Sequence, residues 1–262
     1  MQIQLGCLNR PWHEHTLEEA LAGIAAAGFK TVGFTGQQGK PTISADSTDQ
    51  DVARLKSLLK QNGLEAQVTI SQPSLDLAPD EAVSRFQREM SRAKEVGLSY
   101  FILCGTAKED KYEQWYSLVA RCLDPAEKTG VKLLLKPHGG ISSLSADLLR
   151  AAQRLTHPAF GICYDPGNIY YYTGQSAEED LPAVASLVRG MCIKDEINGK
   201  HGEVAITPGT GVVDFRRIFS TLAGVGFSGP CWVECLGGKS VSEINAEAEK
   251  TFGFINQIVS SI

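Results

Sequence analysis

The sequence has no apolar run long enough to cross a bilayer as a helix, which argues against a membrane protein. It has no cationic excess either. Lys and Arg number 25 against 30 Asp and Glu, a formal net charge of -5, so the basic footprint that nucleic acid or an anionic membrane surface requires is missing. The seven cysteines are odd in number and form no C-x-x-C pair. Several lie inside apolar runs, where Cys behaves as a small buried hydrophobe. That speaks against a disulfide framework and for a reducing, cytoplasmic location. The opening, MQIQLGCLNRPW, has neither a basic n-region nor an apolar h-region, so no signal peptide is expected.

Glycine is plentiful, and its spacing carries information. A helix-like segment ends at Gly and runs at once into an apolar residue at Gly28-Phe29, Gly63-Leu64, Gly97-Leu98, Gly130-Val131 and Gly226-Phe227. Gly just past a helix supplies the left-handed C-cap. The first four are 35, 34 and 33 residues apart, and the 96 residues from Gly130 to Gly226 leave room for three more units. His157-Pro158-Ala159 and Arg189-Gly190-Met191 fall where the missing boundaries belong. Each unit holds one strand: Ile3–Cys7, Thr31–Phe34, Ala66–Ile70, Tyr100–Cys104, Lys132–Leu135, Gly161–Tyr164, Met191–Ile193 and Cys231–Glu234. Most are continuous apolar runs, as parallel strands covered on both faces are. Thr16–Glu19, Ser176–Glu179 and Ser240–Glu243 have the capping-box spacing of helix starts. Eight βα units of about 33 residues predict an α/β fold, a single (β/α)8 TIM barrel over residues 1–262. The open doubly wound sheet would want a glycine-rich fingerprint after its first strand, and Leu8 to Trp12, LNRPW, is none.

Such barrels keep their chemistry at the C-terminal ends of the strands. Standing there are Trp12 after the first strand, Lys136 and His138 after the fifth, Asp165 and Asn168 after the sixth, Cys192, Lys194 and Asp195 at the seventh, and Glu234 at the eighth. Charges at the ends of apolar strands are costly to bury alone. Lys136, Asp165, Lys194, Asp195 and Glu234 are therefore expected to pair across the barrel mouth. Trp12 either meets a ligand or fills the mouth. His138 lies beside Gly139-Gly140, where the backbone can approach a ligand closely.

Four stretches, YDPGN (Tyr164 to Asn168), IKD (Ile193 to Asp195), PGTGVVDF (Pro208 to Phe215) and GPCWVE (Gly229 to Glu234), resemble the xylose-isomerase-like TIM-barrel superfamily, in its sugar phosphate isomerase/epimerase branch. The opening, from Gly6-Cys7 through TLEEAL, is also similar. The resemblance implies a divalent metal, Mn²⁺, Mg²⁺ or Zn²⁺, held by Glu, Asp, His and Glu from strands five to eight. Asp165 and Glu234 match two of these positions. The other two hold Lys136 and Cys192, and the second catalytic glutamate of the epimerase branch is replaced by Ser142. Lys136 thus stands where a ligand is expected, supplying positive charge in place of the ion and repelling one beside it. A rebuilt zinc set of Asp165, Glu234, Cys192 and His138 is the other reading.

Isomerisation needs a base beside a carbonyl and a group to hold the enolate oxygen. Glu234 is the expected base, Lys136 and His138 the electrophilic partners, with Asp165 orienting them. Asn168, Lys194, Asp195 and Trp12 are expected on the substrate. The leading expectation is a carbohydrate isomerase or epimerase acting on a small keto-sugar or polyol. The alternatives are a lyase or dehydratase acting by β-elimination on an oxidised sugar or inositol, and a sugar-binding pseudoenzyme. A DNA-repair endonuclease of the same superfamily would need a histidine-rich zinc cluster, which five scattered His do not supply. The resemblance also raises a homo-oligomer, by analogy alone.

Overall fold

The computed structural model describes residues 2–262. Eight parallel strands close into one barrel, each paired with its neighbours in chain order and the last with the first. They are β1 (Gln2–Leu8), β2 (Thr31–Phe34), β3 (Glu65–Ile70), β4 (Tyr100–Leu103), β5 (Lys132–Leu135), β6 (Phe160–Tyr164), β7 (Val188–Ile193) and β8 (Ser228–Val233). Helices α1 (Leu17–Ala26), α2 (Asp49–Asn62), α3 (Pro79–Val96), α4 (Tyr112–Thr129) and α5 (Ser145–Arg154) follow the first five strands. After β6 come α6 (Pro166–Thr173) and the single turn α7 (Ala177–Asp180); α8 (Phe215–Gly224) and α9 (Val241–Ser260) complete the ring. A short antiparallel hairpin, Gly36–Gln37 with Lys40–Pro41, sits after β2.

Local chemistry sets the helix ends. Thr16 and Ser240 form full capping boxes with Glu19 and Glu243, and Thr48 forms one with Asp51. At Ser176 only half of the expected box is present: its side chain accepts from the Glu179 N–H, ahead of a four-residue helix. Gly63, Gly97 and Gly130 are left-handed C-caps, and Gly28 and Gly226 have positive φ just past α1 and α8. The unit boundary expected at Arg189-Gly190-Met191 is corrected. Those residues lie inside β7, and Gly190 caps no helix. The segment between β6 and β7 ends in short 3-10 turns rather than a glycine-capped helix.

Gly190 has a packing reason instead. A Cβ there would lie 2.8 Å from the Trp232 ring, and one at Gly6 would lie 2.9 Å from it. Trp232 on β8 fills the barrel over these two glycines of its neighbouring strands, and its indole N–H donates to Gln67 Oε1 at 2.7 Å. Leu8, Val68, Ile102, Leu134, Cys163 and Cys192 complete this interior plug. The larger apolar core lies between the strands and the helices.

Candidate active site

Side chains alternate between the two faces of a strand. The residue two positions beyond each plug residue therefore shares its inward face, one layer nearer the C-terminal mouth. Val68 leads to Ile70, Ile102 to Cys104, Leu134 to Lys136, Cys163 to Asp165, Cys192 to Lys194 and Trp232 to Glu234. This upper layer floors a cavity of about 650 Å³ at the C-terminal end of the strands. Ile70, Cys104, Lys136, Lys194 and Glu234 line it, and Asp165 is buried beneath.

Four charges interlock there. Lys136 Nζ donates to Glu234 Oε2 at 2.6 Å and lies 3.2 Å from Asp165 Oδ2. Lys194 Nζ donates to Glu234 Oε1 at 2.9 Å and to Asn168 Oδ1 at 3.0 Å, and lies 3.5 Å from Asp165 Oδ2. No side chain of the four is more than 5% exposed. Asp165 also starts α6: its Oδ1 accepts from the Asn168 N–H at 3.0 Å, and Pro166 occupies the first turn, where no N–H is needed. One oxygen of Asp165 thus caps a helix while the other faces the ammonium groups. Asn168 is fixed in turn by its Nδ2, which donates to the Pro137 carbonyl at 2.6 Å.

The pairing governs protonation. Burial alone would raise the Glu234 carboxyl, but the charges of Lys136, Lys194 and Arg10 outweigh it and hold the group well below the usual carboxylate range. Burial would likewise lower Lys136 and Lys194. The facing acids prevail, and both ammonium groups are held above their ordinary range. His138 has no such partner. Burial, then the charges of Lys136 and Lys194, push its pKa down to about 4, so the ring is neutral at pH 7. Its nitrogens lie 3.2 and 3.3 Å from the Tyr172 hydroxyl.

As metal donors, Asp165, Cys192 and Glu234 can bring one ligand atom each within 4.8 Å of the others. The surroundings do not fit a divalent ion. Both carboxylates already face two ammonium groups. A hydrogen bond to Cys163, 3.7 Å away, and then burial raise the Cys192 thiol well above its normal range. His138 turns its ring to Tyr172.

The remaining expected residues divide. Asn168 lines the cavity and holds Lys194. Trp12 does not face a ligand: it is fully buried, its N–H donating to Asn245 Oδ1 at 2.9 Å. Asp195 is also corrected. It neither joins the ion pairs nor faces substrate, but accepts from the backbone N–H groups of Glu196, Gly209, Gly211 and Val213 at 2.8–3.0 Å and so holds the loop before α8. Alternation explains this, since Lys194 and Asp195 are consecutive and point to opposite faces. Among the cavity residues outside the expected set are Arg10, Tyr172 and Cys235. Arg10 carried a usable signal, because it stands two residues beyond the plug residue Leu8.

A family model described as xylose isomerase-like TIM barrel matches residues 21–258. The L-ribulose-5-phosphate 3-epimerase UlaE of Salmonella typhi is 28% identical over 234 residues, covering 78% of each chain. Among solved structures, a xylose isomerase domain protein from Planctomyces limnophilus superposes with a TM-score of 0.76 at 18% identity, over 100% of this chain and 98% of that one. D-psicose 3-epimerase of Clostridium cellulolyticum H10, solved with D-tagatose, gives a TM-score of 0.77 at 16% identity, over 98% and 99%.

Proposed function

The chain belongs to the xylose isomerase-like TIM barrel family, and we propose that it is a carbohydrate isomerase or epimerase that abstracts a proton beside the carbonyl of a small keto-sugar, with lysine ammonium groups in the place of a metal ion. The observation that carries this reading is the Lys136 ammonium fixed between two acids, 2.6 Å from Glu234 and 3.2 Å from Asp165. The epimerase names of relatives such as the Salmonella protein support the reaction class.

Removing a C–H proton leaves its electron pair as a new C=C bond and turns the carbonyl oxygen into an enolate. Lys136 and Lys194 both line the cavity, so their N–H donors can meet that oxygen as charge grows on it. The sequence points to Glu234 as the base, but its ion pairing argues otherwise: each carboxylate oxygen accepts from an ammonium. A carboxylate stabilised in this way is a poor proton acceptor. His138 suits the role better, being neutral, on the cavity wall and beside the Tyr172 hydroxyl. Returning the proton to the former carbonyl carbon, while the hydroxyl proton of the deprotonated carbon passes to the enolate oxygen and a new C=O forms there, completes an isomerisation with one base. Ser142, buried where the second glutamate of the epimerase branch is expected, favours that one-base course.

The test is deuterium exchange. Chelator-treated protein is incubated in D₂O with a panel of ketoses. Deuterium should enter the carbon beside the carbonyl at a rate that chelation leaves unchanged. Lys136→Met should slow exchange by about 10²–10³-fold, the effect of deleting one oxyanion donor. Exchange that stops on chelation and returns with Mn²⁺ would overturn the metal-independent reading. Loss of water with an enone absorbance would move the assignment to a dehydratase.

A further inference from the structure

The cavity holds one cation more than it holds acids. Its ion pairs join Lys136 and Lys194 to Asp165 and Glu234. Arg10 lines the same cavity, and among the described residues it pairs with no carboxylate. It reaches from the end of β1 to the loop after β8, where its Nη1 donates to the Cys235 sulfur. A thiol is no counter-ion, and burial pushes this one up from its usual range. A guanidinium has five N–H donors in a planar fork suited to carboxylate or phosphate oxygens. Beside it, Cys235, Leu236 and Gly238 line the wall, and the backbone N–H groups of Leu236 and Gly238 have no acceptor among the described residues. Loops after the last strands are where barrels of this type commonly build phosphate sites.

We propose that the sugar turned over here carries an anionic group, a phosphate ester or a carboxylate, and that Arg10 and the loop Cys235–Gly238 receive it. This rests on the reading of the cavity as a sugar site. The anion on the β1–β8 wall would anchor one end of the ligand, and the ammonium groups would meet its carbonyl. Binding energy from a non-reacting group would thus orient the reacting one.

Calorimetry with three matched ligands tests this: a ketopentose, its terminal phosphate ester, and a ketose acid of equal chain length. At least one anion should bind about 10–100-fold tighter than the neutral sugar, as charge-assisted bidentate contacts do, and which one binds identifies the group. Arg10→Gln should abolish the difference in affinity between the anion and the neutral sugar, and Arg10→Lys should keep part of it. Equal affinity for all three ligands, no binding by any, or an anion preference that survives Arg10→Gln would overturn the inference. Deuterium exchange separates this from the reaction reading. An acidic sugar that binds through Arg10 without exchange removes the isomerase and keeps the site. Exchange on ketoses, with neither anion binding more tightly than the neutral sugar, keeps the isomerase and removes the site.

Discussion

At the scale of single residues, Lys136 decides what the site can hold. Side chains of the size and sign found here make an internal cation, tethered by the fifth strand and shared between two acids. Lys194 adds a second, so under the proposed metal-free reading two ammonium groups together would keep a divalent ion out. Replacing one of them should only partly open the site. Lys136→Glu supplies a third carboxylate but leaves Lys194 against Glu234, so Mn²⁺ binding measured by calorimetry should be weak. Lys136→Glu with Lys194→Met removes both positive charges and should bind the ion clearly more tightly, while the unaltered protein takes up none. A double variant with no measurable affinity would mean that something other than the lysines keeps the ion out.

At the scale of elements, strands and the plug between them fix the geometry. Gly190→Ala would push a methyl group to 2.8 Å from the Trp232 ring and 3.1 Å from Leu134, with little room to yield in a closed barrel. Overpacking of this kind costs about 1–3 kcal/mol, so the urea midpoint should fall accordingly. Combining the change with Trp232→Phe should recover part of the loss, because the clashing atoms belong to the larger ring of the indole. Additive losses would show that the glycine serves some other purpose. Gly190 also shows where the sequence stops being legible. Gly63, Gly97 and Gly130 read correctly as C-caps, and Gly28 and Gly226 take up positive φ one residue past the cap, because a left-handed helix exit leaves a local signature. Gly190 follows no helix; only the position of Trp232, 42 residues away, explains it. The site divides in the same way. Lys136, Asp165, Lys194 and Glu234 were legible because each ends an apolar strand and strand ends converge in a closed barrel. Asp195 and Trp12 also follow strand ends, yet neither lines the cavity. The face each side chain takes depends on strand alternation for Asp195, and on the packing of α9 around Asn245 for Trp12.

At the scale of the whole molecule, the buried charges make stability depend on pH in two steps. His138 keeps its proton off in the folded protein down to about pH 4, whereas an unfolded chain protonates it near its ordinary value of about 6.5. As pH falls through that window the unfolded state binds the extra proton, and stability must fall. The full shift corresponds to about 3 kcal/mol, and partial solvent access to the ring reduces it to about 2. Glu234 acts later. Its folded pKa lies well below the ordinary carboxylate value, so its contribution is complete above about pH 4.3 and is lost only as pH drops further, through the folded pKa. Urea midpoints measured from pH 7 to pH 3 should therefore decline first between about 6.5 and 4, then again below. In His138→Gln the first decline should shrink by the share His138 contributes, while the second remains. An unchanged slope between pH 6.5 and pH 4 in that variant would mean that the imidazole is protonated in the folded state, with the two ammonium groups too well screened to oppose it. A folded pKa near 6.5 would still leave the ring neutral at pH 7 and would make it a stronger base than one held at about 4, so the same titration sets how readily His138 can take a proton from substrate.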